Sequence, residues 1–441
     1  MALKRILVAN RGEIAIRVAR TCRAMGVEAV GLYSDDDAQS LHLDHMVRSV
    51  HLPGSTPADT YLNQALVLAA AQSMGADAVH PGYGFLSENA SFIRRCEQLG
   101  LIFIGPTAEH VELMGEKRQA REAFESTGFP VVPHHHLVDG ALPEDTVYPV
   151  IIKAVAGGGG IGMTLVNSAA EVERAVKRVS SAGEKYFGSG ELYAERYLDG
   201  ARHVEVQILS DGKHTVHLGE RDCSWQRRYQ KVVEESPAPG LPPGLARELA
   251  DRAAAAVHQL GYTSVGTVEC LVKGDEYFFL EMNTRIQVEH AVTEMVTGAD
   301  LVRAQILLAD GAPVESLDLG APANGHAIEF RIYAEDPRTF LPSPGTISSI
   351  SLPSGAGIRC DTGARNGTVL SMYHDPLIAK LIVHGADRPA AIDLARRALA
   401  EVRIDGVKCN VEALRKIVEA PAFLDGAYHT GSLAALMKGG G

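Results

Sequence analysis

An excess of positive charge is the first thing missing from these 441 residues: 42 lysines and arginines stand against 54 aspartates and glutamates, a formal net charge of −12. Release of counterions from a phosphate backbone needs a basic surface, so nucleic acid is not expected as a partner. Cysteine is scarce and unpatterned. Cys22, Cys96, Cys223, Cys270, Cys360 and Cys409 include no Cys-x-x-Cys pair, which argues against a zinc site or a disulfide framework and fits a reducing cytoplasm. Long apolar runs are absent as well. The opening run Ile6-Leu7-Val8-Ala9 is far shorter than a signal-peptide core, and nothing later approaches a membrane span, so a cytoplasmic protein without membrane association is expected. Low-complexity tracts and internal repeats are also lacking. With 46% hydrophobic residues, 22% charged residues, 44 glycines and 21 prolines, what remains is an ordinary packed chain rich in turns, long enough for roughly three domains.

The opening hundred residues alternate between short apolar runs and helical patterns. An apolar run over 5–10 precedes a helical pattern over 13–25, a stop at Gly26 and a second run over 28–33. A helical stretch over 61–74, a stop at Gly75 and the run over 76–79 lead into His80-Pro81-Gly82. This is the pattern of a parallel α/β layer, with ligands expected at its strand ends. Between about Lys117 and Asp310 hairpin-like strands take over, broken at Asp199-Gly200, Asp211-Gly212 and Gly274-Asp275. From His326 onward short strands and a helix over 388–401 suggest a third, α+β unit packed behind the second.

Three stretches carry chemistry. The first runs from Val150-Ile151-Ile152 through Lys153 into Gly157-Gly158-Gly159-Gly160-Ile161-Gly162-Met163, and then into Thr164-Leu165-Val166. Gly157, Gly159 and Gly162 satisfy G-x-G-x-x-G, but a strand follows where a dinucleotide site needs a helix, and no Gly-Lys-Ser/Thr follows for a P-loop. A glycine hairpin over nucleotide phosphates, with Lys153 as a nearby cation, fits better than either; a plain surface turn is the bland alternative.

The second stretch reads as a hairpin from Thr267 to Asn283. If its turn centres on Asp275, Glu269 and Glu281 face each other, and a magnesium ion between them removes their repulsion. Past Glu281 the odd positions Asn283, Arg285, Gln287 and Glu289 are polar, so an extended chain lines one face with them. Such a row can hold an oxyanion by its guanidinium and offer a base beside it, which suits bicarbonate. An exposed strand of alternating polarity is the bland alternative. The third stretch, 220–231, is dense in donors and holds Trp225, the one tryptophan; donors of this kind suit developing phosphate charge, although a charge run is more often a solvated face. His134-His135-His136 is expected to be loop and not a metal site, because adjacent side chains on a regular backbone do not converge on one tetrahedral ion.

In order along the chain, Ala9-Asn10-Arg11-Gly12-Glu13-Ile14-Ala15, His80-Pro81-Gly82-Tyr83-Gly84, the glycine loop, 220–235, 281–289, Arg331-Ile332-Tyr333-Ala334-Glu335-Asp336-Pro337 and Phe340-Leu341-Pro342-Ser343-Pro344-Gly345 resemble the biotin carboxylases over nearly the whole length. The resemblance implies an N-terminal Rossmann-like α/β (pre-ATP-grasp) domain over 1–113. It further implies an ATP-grasp domain over 114–312, with a mobile glycine-loop lid over about 132–200, and an α+β C-terminal domain over 326–433. It also implies a ligase that uses ATP, bicarbonate and Mg2+ or Mn2+, with two ions expected, to carboxylate biotin through carboxyphosphate. This is the first half-reaction of an acetyl-CoA or other acyl-CoA carboxylase.

By the same resemblance Lys117, Lys153, Gly157, Gly158, Gly159, Gly160, Gly162, Met163, Glu195, Arg196, Leu198, His203, Gln226 and Tyr229 match ATP-binding positions. Glu269, Glu281 and Asn283 match the metal-binding ones. Glu289 matches a base that deprotonates bicarbonate held by Lys231, Arg285, Gln287 and Val288. Arg331 matches the group that steadies the biotin enolate, and Tyr83 a position beside biotin. Three positions depart from the common pattern: Tyr229, where many members have His; Ile161, where Arg is usual; and Ala291, where Pro is common.

The chain lacks a Met-Lys-Met segment and a carrier-like region, so the biotin is expected on a partner, a carrier protein or domain that also serves a carboxyltransferase component. A homodimer is implied too. The alternative is another ATP-grasp ligase that joins a carboxylate to an amine.

Overall fold

The computed structural model describes residues 3–137, 140–155, 162–187 and 190–438. The N-terminal unit is a five-stranded parallel sheet in the order Arg48–His51, Glu28–Tyr33, Arg5–Val8, Ala78–His80, Ile102–Phe103. Its first strand lies in the middle, so the strand order reverses beside it, and a crevice opens at the carboxyl ends of Arg5–Val8 and Ala78–His80. The Asn10 side chain spans that crevice, donating to the carbonyls of Pro81 and Tyr83 at 2.8 Å each. The helix after the first strand runs Gly12–Ala24, close to expectation. The second is shorter than its apolar pattern, Gln64–Ser73: the Asn63 side chain caps it, and Tyr61 instead buries its ring and donates to Asp37.

Next comes a four-stranded antiparallel sheet ordered His134–His136, Leu192–Arg196, Val150–Ala154, Met163–Val166, with the helix Val172–Phe187 against it. The three histidines are therefore a strand and not a loop: pairing His134↔Glu195 through His136↔Tyr193 gives their backbone a partner that local sequence does not reveal. The strand expected after the glycine loop is there, with Lys153 opposite Met163. Gly157, Gly158, Gly159, Gly160 and Ile161 lie outside the described residues.

The third sheet has eight strands, in the order Glu276–Asn283, Thr263–Lys273, Arg202–Asp211, Thr215–Arg227, Gln230–Ser236, His326–Tyr333, Leu377–Gly385, Ile358–Thr362. The last three belong to the stretch expected to pack behind the second unit. They continue its sheet edge to edge instead, through Val233↔Phe330 and Glu235↔Ile328. A buried strand such as Gln230–Ser236 has two hydrogen-bonding edges to satisfy, and His326–Tyr333 supplies the partner for one of them. One apolar core then runs under both parts, from Trp225 and Val233 to Leu381, Leu399 and Phe423. No helix among the described residues is long and apolar enough to cross a membrane.

Candidate active site

A cavity of about 800 Å³ opens where the three sheets meet, lined from the N-terminal crevice by Asn10, Arg11 and Tyr83. One end is a slot with apolar walls: Ile151 and Met163 come from the four-stranded sheet, Leu271 and Leu280 from the hairpin that ends the eight-stranded one, and Leu198 from the connection. A flat aromatic base fits such a slot, with polar groups at its far end. Those groups are Lys117, Lys153, Glu195, His203 and Gln226, and Arg196 and Tyr229 also reach the lining. Glu195 is held by Lys153 and by Arg121 at 3.0 Å, and the Gln226 amide stands 2.7 Å from His203 Nδ1. Gly162, at φ +76, closes the strand turn outside the lining. Tyr229 sits in a two-residue turn with Arg228, both at positive φ, which suits a hairpin tip and leaves the residue 68% exposed.

The hairpin places its acids in register by a route the sequence did not show. Its turn is Gly274-Asp275 between Lys273 and Glu276, which by itself sets Glu269 opposite Leu280. A bulge between the pairs Cys270↔Phe279 and Glu269↔Glu281 adds one residue, and the carboxylates meet after all. Across the neighbouring strands the row continues Glu281, Glu269, Glu205, Arg221. Three adjacent carboxylates on one sheet face repel, so the row forms only around cations.

Lys231 is the main one. Its ammonium donates to Glu205 at 2.6 Å, to Glu269 at 2.8 Å and to Glu289 at 2.8 Å. Burial alone lowers a lysine, but these three acids hold Lys231 well above its ordinary value. Glu269 also takes bonds from Asn283 and Gln287, both 2.8 Å, and lies 2.7 Å from His203 Nε2. Burial pushes Glu269 up, yet Lys231 and His203 bring it well below the usual glutamate range. Glu281 has no such support: it accepts no hydrogen bond from the described residues, faces the cavity, and is raised by burial and by Glu269 beside it. A carboxylate that accepts no hydrogen bond from the described residues, opposite an anchored one and with Asn283 in the same lining, is a hard-oxygen donor set that fits a magnesium-like ion.

The segment after Asn283 is not the extended row expected. The strand ends there, the chain turns, and Glu289 heads the helix His290–Thr297. The side chains still converge, since the Arg285 guanidinium donates to Asn283 Oδ1 and Gln287 Oε1 at 2.9 Å each and lines the cavity with Gln287 and Val288. Arg285 also donates to the Ile286 carbonyl at 3.3 Å and, through Nε, to Glu88 at 2.9 Å. Glu289 is fully buried and behind the wall, between Lys231 and Arg331 Nη2 at 2.9 Å. Burial raises a carboxyl, but here Lys231 and Arg331 win and hold Glu289 well below its ordinary value. Arg331 lines the cavity near Tyr83, whose hydroxyl donates to Glu13.

The donor-rich stretch divides between two faces. Lys231 and Gln226 reach the cavity, whereas Arg221 is buried against Glu205, Gln207 and Thr293, and Trp225 packs on Phe423 and Tyr428. Arg221 shares the sheet face of Glu205 and Lys231 and lies deeper on it, while the register shifts between Asp222 and Gln226 turn Trp225 to the opposite face. Ala291, one of the family departures, is a fully buried core residue. Glu88, Arg121, Glu205 and Glu234 escaped the sequence reading. Their partners lie tens to nearly two hundred positions away, and no local pattern marks them.

Glu234 carries a pH prediction. It pairs directly across from Glu329 in the sheet, both fully buried, and none of the four carboxylate oxygens has an aligned donor, although Arg331 Nε lies 2.6 Å from Glu234 Oε1. Burial pushes Glu234 up to about 7, with Arg331 opposing, and Glu329 well above its ordinary value. A carboxyl raised in the folded state binds its proton more tightly there than in the unfolded chain. Its stabilisation is complete below the unfolded value and is lost as pH rises through the folded one. The urea midpoint of the wild type is expected to fall between about pH 5 and about pH 8, and Glu234→Gln to flatten part of that decline. Equal slopes in the two proteins would place the proton elsewhere.

Comparisons with known proteins bear on the family to which this chain belongs. Family profiles match over residues 2–111 (biotin carboxylase, N-terminal domain), 116–317 (carbamoyl-phosphate synthase L chain, ATP binding domain) and 329–435 (biotin carboxylase C-terminal domain). The biotin carboxylase of Halalkalibacterium halodurans is 44% identical over 99% of this chain and 98% of its own. Among solved structures, the Campylobacter jejuni biotin carboxylase–β-γ-ATP complex superposes with a TM-score of 0.93, at 40% identity, over 98% of this chain and 99% of that one. The biotin carboxylase domain dimer of Hydrogenobacter thermophilus 2-oxoglutarate carboxylase, in complex with MgADP, ADP and bicarbonate, gives a TM-score of 0.91 at 40% identity over 99% of each chain. With identity of this order along its whole length and all three family segments present in order, the chain belongs to the biotin carboxylase family.

Proposed function

We propose that this protein carboxylates the ureido N1′ of biotin, using ATP and bicarbonate, with the biotin carried on a separate protein or domain that also serves a carboxyltransferase. The observation that carries the reading is the meeting of the Glu269–Glu281 pair, Arg285 and Lys231 on one cavity wall beside a nucleotide-sized slot. Relatives and structural neighbours named for this activity, one of them with bicarbonate and MgADP, support it.

ATP takes the slot, its phosphates toward Lys117, Lys153 and His203. Glu269, Glu281 and Asn283 would hold the magnesium or manganese ions, which neutralise phosphate charge and orient the terminal phosphoryl group when bound. Arg285, Gln287 and Val288 hold bicarbonate, and Glu289 takes its proton. In the free protein Glu289 is a weak base, because two cations flank it. As the anion and the phosphates draw Lys231 and Arg331 toward themselves, that stabilisation falls and the proton affinity of Glu289 rises. Carbonate then attacks the γ-phosphorus to give carboxyphosphate and ADP. Carboxyphosphate yields carbon dioxide and phosphate, phosphate removes the N1′ proton, and Arg331 stabilises the enolate oxygen while N1′ attacks carbon dioxide. A homodimer in the cytoplasm completes the reading.

Phosphate release from ATP is expected to require bicarbonate and to rise with free biotin, with Arg285→Ala raising the bicarbonate KM by about tenfold or more, as loss of a charge-assisted anion contact implies. Phosphate release indifferent to both bicarbonate and biotin would redirect the assignment to a carboxylate–amine ligase.

A further inference from the structure

Lys380 is a fully buried lysine that the reaction scheme does not use. It lies on the strand Leu377–Gly385, directly across from Arg331 on one side and Asp361 on the other, so it shares a sheet face with Arg331. Its ammonium donates to the Val288 carbonyl at 2.9 Å and pairs with Glu13 at 3.1 Å, while Asp361 is farther off at 3.9 Å. Glu13 Oε1 also accepts from the Tyr83 hydroxyl, and Glu13 Oε2 is buried without a donor. One ammonium thus ties the start of the N-terminal helix to the backbone of the Gln287–Glu289 turn and to the C-terminal strand that packs beside Arg331.

The junction is built for close approach. A Cβ on Gly363 would stand 2.7 Å from Gly12 Cα and 2.9 Å from Glu13 N, so only glycine lets the loop after Ile358–Thr362 press against the helix start, where Lys380 meets Glu13. A buried ammonium is expensive unless its donors are engaged, and removal of it would take the cation from Glu13, leaving it the Tyr83 hydroxyl, and the donor from the Val288 carbonyl.

We propose that Lys380 is a positioning residue that fixes the Val288 backbone for bicarbonate, and that the chain Tyr83–Glu13–Lys380–Val288 couples the biotin side of the cavity to the bicarbonate side. This rests on the function proposed above. Lys380 touches no reacting atom; it sets where the anion-binding turn sits, and Tyr83 sets where Glu13 and hence Lys380 sit.

The test is bicarbonate-dependent phosphate release without biotin. Lys380→Met is expected to raise the bicarbonate KM by about tenfold, equivalent to ~1.4 kcal/mol, with the ATP KM changed by less than about twofold. Lys380→Arg, which keeps a cationic donor, is expected to recover part of the loss. Tyr83→Phe removes one hydroxyl and serves even if Lys380→Met fails to fold: it is expected to raise the bicarbonate KM about two- to threefold in the wild type, and not at all on top of Lys380→Met. Proportional changes in both KM values, or a Tyr83→Phe effect confined to biotin, would overturn the proposal. An absence of bicarbonate dependence in the wild type itself would instead sink the function on which it rests.

Discussion

Lys231→Met is expected to cost roughly 3–5 kcal/mol of folding stability and to abolish bicarbonate-dependent phosphate release, because breaking a buried ion cluster leaves its remaining charges uncompensated. Three carboxylates, those of Glu205, Glu269 and Glu289, meet at the one ammonium, and Glu205 and Glu289 are fully buried. Arg221 remains for Glu205 and Arg331 for Glu289, so the loss is smaller than three bare charges imply. Part of it is recovered at low pH, where the stranded acids take up protons: with their cation gone their proton affinity in the folded state rises, and folded protein then binds protons more readily than unfolded chain. Urea denaturation at pH 5 and pH 8 measures this, with the deficit of the variant about 1 kcal/mol or more smaller at the lower pH. A deficit independent of pH would show that the three acids do not depend on Lys231. Lys231→Arg keeps the charge but not the compact three-donor head, so it should retain stability better than turnover.

Glu289→Gln is expected to lower bicarbonate-dependent phosphate release by about 100- to 10,000-fold, the usual range for a lost general base, with the dissociation constant for ATP little changed. The separation follows from position: Glu289 is behind the cavity wall and bonds to Lys231 and Arg331, while the apolar-walled slot proposed for ATP is lined by other side chains. The substitution also leaves Lys231 with two of its three carboxylates and Arg331 with one of its two ion pairs, so a fall in melting temperature accompanies it. Glu289→Asp distinguishes the two effects. It restores the charge and much of the stability, but its shorter side chain withdraws the carboxylate, and turnover should stay well below the wild type. Rapid bicarbonate-dependent turnover in Glu289→Gln, measured by phosphate release at saturating ATP, would remove Glu289 from the base role and leave it a counterion to Lys231 and Arg331.

Much of this site was legible because its pieces are local. The hairpin 267–283, the glycine-flanked Lys153 strand and the helix starting near Glu13 are each encoded within a few tens of residues, by alternation, turn residues and helical periodicity. Even so, Glu269 and Glu281 came opposite through a bulge that the pattern did not announce: the turn was placed half a residue off, and the two departures cancelled. The row from Asn283 to Glu289 kept its alternation in sequence but not its extension, because a helix begins at His290 and pulls the chain round. Both errors left the expected side chains together. The misplacement of the His326–Tyr333 strand was of another kind, since nothing in its own residues says that its neighbour is Gln230–Ser236.

The chain alone determined which chemical groups were on offer and which short elements would present them: a lysine before a glycine loop, two acids on a hairpin, and an arginine and a glutamate four residues apart. Tertiary structure decided the partners, namely Glu88 for Arg285, Glu205 for Lys231, Glu234 for Arg331 and Lys380 for Val288, and with them the electrostatic surroundings of Lys231, Glu269 and Glu289. The reason is that periodicity and turn preference act over a few residues, whereas electrostatic energy depends on distance in space. Strands far apart in the chain come together only when the sheets have chosen their neighbours and their register.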